Sequence, residues 1–317
     1  MLCVMEIAFS GNVEFKITDF AAPAQAPLWP WRRRQAKPWG NSEDAMPDLA
    51  SLLPMVALLL VIGGFAGIVA GLLGVGGGIV LVPAFFYAFE HLGYGGPKLM
   101  QVCVATSLAT IIVTSVRSVL SHNKKGAVDW QMLRDWAPYI VVGALAGTLV
   151  ATQVKSAVLQ VVFGVLAGVA GLYLAFGRAE WRLGSELPGQ PARGIMATGL
   201  AFFSAMMGIG GGTFGVPLMS LYNVAIHRAV ATAAGIGVLI AVPSVLGFLF
   251  MPVAGAPPYT IGAVNIPAFL LVIAMTMITT PYGVKLAHAM NPKPLKQAFA
   301  VFIILVSLNM LRKVAGW

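Results

Sequence analysis

Beyond its first 48 residues the chain alternates long apolar runs with short polar breaks. Residues 51–73, 140–154 and 159–176 reach or approach the ~20 apolar residues that a helix needs to cross the hydrocarbon of a bilayer. Two apolar pieces are too short for that. Residues 79–90 and 213–224 each hold about 12 residues, and each stands directly behind a run of three glycines. The first apolar run and the short piece behind it together cover at least 30 residues, about 45 Å as helix, which is too long for one crossing. A V-shaped helical hairpin with the glycines at its tip accommodates that length. The pattern predicts, in each half of the chain, a first helix, a glycine tip, a short helix and three spanning helices.

The halves follow from internal repetition. Gly74-Val75-Gly76-Gly77-Gly78 with Pro83 five residues on recurs as Gly208-Ile209-Gly210-Gly211-Gly212 with Pro217, at an offset of 134 residues. Val104-Ala105-Thr106-Ser107 recurs as Val230-Ala231-Thr232-Ala233, and Gly126-Ala127-Val128-Asp129 as Gly262-Ala263-Val264-Asn265. Three blocks in one order predict a duplicated chain: an N-terminal tail over 1–50, a first transmembrane repeat over 51–176, a polar linker over 177–192 and a second repeat over 193–317.

A hairpin that returns to its own side leaves three crossings per half, so the second half is inverted. Loop charges agree in part. The segment joining the third and fourth helices carries Lys124, Lys125 and Arg134 in the first half, whereas its counterpart over 251–265 has no Lys or Arg. The next connection has Lys155 in the first half but Lys293 and Lys296 in the second. Such a reversal is what inverted repeats produce when positive loops stay inside. Arg32, Arg33, Arg34 and Lys37 run against it, since this orientation leaves the tail outside. One broken crossing per glycine tract would instead make the halves parallel.

Composition sharpens the membrane reading. Hydrophobic residues make up 58% of the chain and charged residues 10%, against roughly 25% charged in a soluble domain. The net charge of +9 lies beside apolar runs and serves membrane orientation rather than nucleic-acid binding. Cys3 and Cys103 are too few for a disulfide framework or a thiolate metal site. His91, His122, His227 and His288 lack metal-pair spacing. No cofactor or metal is expected.

Three consecutive glycines cost about 1 kcal/mol each relative to alanine inside a helix, so the helix should open there. Unwound backbone is tolerated at membrane depth only where protein or a watery cavity surrounds it. A new helix then begins at Ile79 or Thr213, with free N–H groups and the positive end of its dipole directed at the glycines, a ready oxyanion site. The candidate binding residues are Gly76, Gly77, Gly78, Thr106 and Ser107 of the first half and Gly210, Gly211, Gly212, Thr213 and Thr232 of the second. The hydroxyls have a structural alternative, since Ser and Thr in membrane helices bond their own backbone. Gly63, Gly67, Gly71, Gly143 and Gly147 recur at every fourth position and read as close helix packing instead. All 11 acidic residues lie in the tail, in loops or at loop edges. Intramembrane carboxylates mark cation and proton pathways, so their placement favours an anion.

Gly-x-Gly-Gly-Gly with Pro five residues later, then Ala-Thr-Ser on the next long helix, resembles the sulfite exporter TauE/SafE family, also called the toluene sulfonate uptake permeases. The resemblance covers both halves and implies an all-α, multi-pass protein of the cell inner membrane that moves small sulfur oxyanions, sulfonates or related organic anions. Ala233 in place of a second Ser, and Thr213 opposite Ile79, imply an asymmetric site. The function expected is a secondary transporter of a small anion. The alternatives are an anion channel and a transporter of a small organic carboxylate. The apolar body holds no constellation of an enzyme.

Overall fold

The computed structural model describes residues 49–73, 77–177, 181–289 and 292–316; residues 1–48 of the tail and Gly76 lie outside them, and residues 49–50 already belong to the first helix. The first half comprises α1 (Leu49–Leu73), α2 (Gly78–His91), α3 (Leu99–Asn123), α4 (Trp130–Gln153) and α5 (Ser156–Phe176). The second comprises α6 (Ala192–Met207), α7 (Gly212–Leu221), α8 (Ile226–Leu249), α9 (Ile266–Ala289) and α10 (Pro292–Ala315). Among the described residues six helices are long and apolar enough to cross a membrane: α3, α4, α5, α8, and the stretches Ile266–Gly283 of α9 and Gln297–Ala315 of α10. The apolar stretches of α1, α2, α6 and α7 are shorter.

Local chemistry sets the boundaries. Gly77 precedes α2 at φ +74° and Gly208 follows α6 at φ +70°, a left-handed conformation that favours glycine. The Gly126-to-Asp129 block and its counterpart at 262–265 fold alike. Gly126 and Gly262 are left-handed, at φ +64° and +59°. Asp129 Oδ1 then accepts the Met132 N–H and Asn265 Oδ1 the Ala268 N–H, each at 3.0 Å, capping α4 and α9.

Several details depart from the sequence reading. Gly78 and Gly212 are already helical, and α7 stops at Leu221 because Asn223, at φ +64°, turns the chain. Arg134 lies inside α4 rather than in the preceding loop, since the Asp129 cap starts that helix early. The loop before α9 forms a two-residue antiparallel ladder, β1 (Thr260–Ile261) with β2 (Val264–Asn265).

Packing interlocks the halves. The first helix of each half lies on the fourth helix of the other, α1 on α9 and α6 on α4; α3 packs on α8 and α5 on α10. Exchanging the halves maps this pattern onto itself. Glycines set the close approaches: a Cβ on Gly63 or Gly67 would stand 3.0 Å from Val272 Cα or 2.8 Å from Thr276 Cα, and one on Gly143 or Gly147 would stand 3.0 Å from Thr198 Cα or Phe202 Cα. A side chain at these positions would force the neighbouring helix to shift, and with glycine the backbones gain dispersion contact instead.

The same contacts fix helix directions. α1 advances with α9, and α4 with α6. Gly235 meets Leu133 and Gly247 meets Thr148, so α8 also advances with α4. Gly164 meets Leu311 while Gly171 meets Ile304, so α5 and α10 run in opposite directions.

Candidate functional site

The two glycine segments meet. A Cβ on Gly78 would stand 3.0 Å from both the Gly208 carbonyl oxygen and Ile209 Cα, and 2.8 Å from Ile111 Cδ1. The start of α2 therefore touches the turn between α6 and α7. Gly77 lies beside α1, its Cβ direction 3.4 Å from Ala70 Cβ and 3.5 Å from the Ala66 carbonyl oxygen. On the other side, Gly210 faces Ile111 Cγ2 at 3.3 Å, and Gly211 is closed in by Ile236 and by the Ala233 carbonyl oxygen at 2.7 Å. Ile111, fully buried, thus sits between both segments.

Helix starts supply the polarity. The Gly77 carbonyl accepts the Val80 and Leu81 N–H groups and the Gly211 carbonyl that of Gly215, as first helical turns require. The N–H groups of the opening residues of α2 and α7 have no partner inside their own helices. α2 begins against the Gly208–Ile209 turn and α7 begins three residues beyond that turn, at Gly212, and the positive end of a helix dipole lies at each start.

The four candidate hydroxyls divide sharply. Ser107 Oγ donates to the Gly208 carbonyl at 2.7 Å, tying α3 to the opposite tip. Thr106 Oγ1 accepts the Asn265 N–H at 3.0 Å and Thr232 Oγ1 accepts the Asp129 N–H at 3.1 Å. These two bonds are counterparts: in each, a repeat-block threonine holds the helix cap of the other half. Thr213, in the first turn of α7, is 6% exposed and its hydroxyl has no protein partner. Of the four, Thr213 alone keeps both its donor and its acceptor capacity unspent.

Ile111, Ser115, Ser204 and Gly237 were not singled out from sequence. A Cβ on Gly237 would stand 2.7 Å from Ser115 Oγ and 3.5 Å from the Gly211 nitrogen, so α3 and α8 both border the second tip. Ile111 and Gly237 are repeat counterparts at the offset of 126 that relates Thr106 to Thr232. Extending that alignment one turn would have found them. Ser204, in the last turn of α6, has a buried hydroxyl without a partner, and its carbonyl accepts the Ile209 N–H at 3.0 Å. No sequence signal separates it from other helix serines.

Three described carboxylates are tied up at helix ends. Glu90 pairs with Lys313, Asp129 with Arg228 at 3.5 Å and Asp135 with Arg193 at 3.6 Å. The described part of the tips thus offers N–H and hydroxyl donors and apolar walls. Among the described residues no cluster of His, Cys, Asp or Glu is arranged to hold a metal.

A sequence model of the family described as sulfite exporter TauE/SafE matches residues 59–310. A "probable membrane transporter protein" of Haemophilus influenzae is 29% identical over 269 residues, which is 83% of this chain and 100% of that protein. One of Methanocaldococcus jannaschii is 25% identical over 82% of this chain and 96% of its own length. The "probable membrane transporter protein MamO" of Magnetospirillum gryphiswaldense is 24% identical over 87% of this chain, which spans 47% of that protein. No solved structure matches the chain.

Proposed function

The chain belongs to the sulfite exporter TauE/SafE family and is a multi-pass membrane transporter; from that premise we propose that it is a secondary transporter of a small anion, a sulfur oxyanion or organosulfonate such as sulfite, in the cell inner membrane. The observation that carries the reading is the unpaired, buried Thr213 hydroxyl in the first turn of α7, the helix that follows the glycine segment touched by the start of α2. An oxyanion accepts hydrogen bonds and cannot donate them. A region built from helix-start N–H groups and a hydroxyl suits it, and needs no cationic side chain. Gly76 to Gly78 and Gly210 to Gly212 supply the backbone. Thr106, Ser107 and Thr232 hold the tips and caps in place, and Thr213 contacts the anion.

The halves, 51–176 and 193–317, act as inverted repeats. A twofold axis that carries α5 onto an oppositely directed α10 lies across those helices, hence in the membrane plane if they span it. An axis along the membrane normal would leave the pair parallel. Each α1–α2 and α6–α7 pair then forms a glycine-tipped hairpin near the midplane, the arrangement in which alternating access rocks one half against the other. The loop charges put both chain ends outside, so a reporter fused after Trp317 that reads out as internal sinks this orientation.

The test of the site is uptake of labelled sulfite into reconstituted vesicles, with a small sulfonate and a small carboxylate as competitors. Saturable uptake with counterflow, competed more strongly by the sulfonate, is the expected result. Thr213→Val removes a hydrogen bond to a charged ligand, about 1.5–3 kcal/mol, and lowers transport about tenfold to a hundredfold. Without anion the variant is as stable as the parent or more so, because it loses an unpaired buried hydroxyl. Normal uptake by Thr213→Val removes the proposed site, and unsaturable conductance replaces the transporter with a channel.

A further inference from the structure

We propose that the groove between α3 and α4 is a binding site for an anionic phospholipid, with one acyl chain lying against α8 and the headgroup phosphate held by Arg134, Lys124 and Lys125. α3 and α4 each pack on α8 rather than on one another. They leave an apolar groove of about 420 Å³. Val119 and Leu120 of α3, Leu133 and Ala137 of α4, and Val238 and Leu239 of α8 line it. Its walls carry exposed apolar side chains, Leu120 being 57% exposed. The groove is distinct from the glycine site: Gly235, Val238 and Leu239 face it, whereas Ala233, Ile236 and Gly237 face the tip.

A lipid tail that enters an apolar groove exchanges one hydrocarbon surrounding for another, so the tail alone confers no preference. Preference must come from the headgroup end, and the groove is polarised there. Trp130 and Arg134 line it where α4 begins, and Trp130 Nε1 donates to Asn123 Oδ1 at 2.8 Å, an interfacial aromatic anchor. The turn at that end carries Lys124 and Lys125, both exposed. The two carboxylates nearby, Asp129 and Asp135, are already paired with Arg228 and Arg193 of the second half. Lys124, Lys125 and Arg134 have no carboxylate partner among the described residues. Three uncompensated cations around the mouth of an apolar groove match a phosphodiester that carries a net negative charge, and a zwitterionic headgroup gains less from them.

The experiment uses the full chain, purified in mild detergent, delipidated, and melted with added phosphatidylglycerol or phosphatidylcholine of identical acyl chains. Native mass spectrometry counts the lipid retained. Phosphatidylglycerol should raise the unfolding midpoint more than phosphatidylcholine and should remain bound at about one per chain. The Lys124→Ala, Lys125→Ala, Arg134→Ala triple variant should erase that difference while its midpoint without lipid stays unchanged. Ala137→Leu with Val238→Phe, which fills the groove, should abolish retention of either lipid. Equal stabilisation of the parent by both lipids overturns the proposal, as does a preference that survives in the triple variant. If the groove-filled chain fails to fold, the triple variant decides alone, because its substitutions are exposed.

Discussion

Thr106→Val and Thr232→Val test the interlocking of the two halves by a difference rather than by a loss. Each threonine accepts the backbone N–H of a residue whose side chain caps a helix of the opposite half, at 3.0 Å for Thr106 and 3.1 Å for Thr232. Valine keeps the shape and removes the acceptor. The energetic consequence depends on whether the abandoned N–H reaches water. Asn265 is 2% exposed, so Thr106→Val leaves a donor stranded and should cost about 1–3 kcal/mol. The Asp129 side chain is 26% exposed, so water can reach the donor freed by Thr232→Val, and the cost falls to about 0.5–1.5 kcal/mol. Equilibrium unfolding of the full chain in mixed micelles, followed by tryptophan fluorescence, measures both. Thr106→Ser keeps the acceptor and should recover the hydrogen-bonding part of the loss. Equal losses for the two valine variants, or a larger one for Thr232→Val, would falsify the cross-half brace as the origin of the effect.

Gly208→Ala forces a side chain into a left-handed residue whose Cβ would stand 2.8 Å from Val104 Cα; a cost of about 1–3 kcal/mol from overpacking alone is expected, read as a lower unfolding midpoint. Ile111→Ala empties the space between the two glycine segments and should cost about 2–5 kcal/mol. Ile111→Val, which costs only about 0.5–1.5 kcal/mol, tests whether that space limits the transported anion by widening the accepted competitor range. Gly147→Leu drives a side chain into the Phe202 backbone on α6, and the full chain should then fail to yield a monodisperse peak in size-exclusion chromatography. Arg193→Ala breaks a partly exposed pair with Asp135 and should change stability by no more than about 1 kcal/mol.

The glycine triplets, the threonine blocks and the Gly-Ala-Val-Asp/Asn blocks were legible as repeats, and each marks a structural event: a helix start, a cross-half brace and a capped turn. Their meaning was less legible. Thr106 and Thr232 read as candidate ligands because a hydroxyl on an apolar helix announces a polar partner without naming it. The partner is a backbone N–H more than 100 residues away in sequence for each. Ser107 likewise bonds the opposite tip rather than standing free. Thr213 and Ser204 look no different from these in the sequence, yet their buried hydroxyls are left unpaired.

The sequence by itself determined the apolar helical runs, the repeated blocks and the places where helices start, because run length and glycine content act locally: backbone entropy and hydrocarbon thickness are settled residue by residue. Tertiary structure decided which helices pair, in which direction they run and which hydroxyls stay unspent. Those depend on close approaches such as Gly143 to Thr198 and Gly78 to Gly208, and they exist only once the two halves have closed on each other. Which hydroxyls find a partner and which, such as Thr213 and Ser204, do not is therefore a property of the assembled bundle.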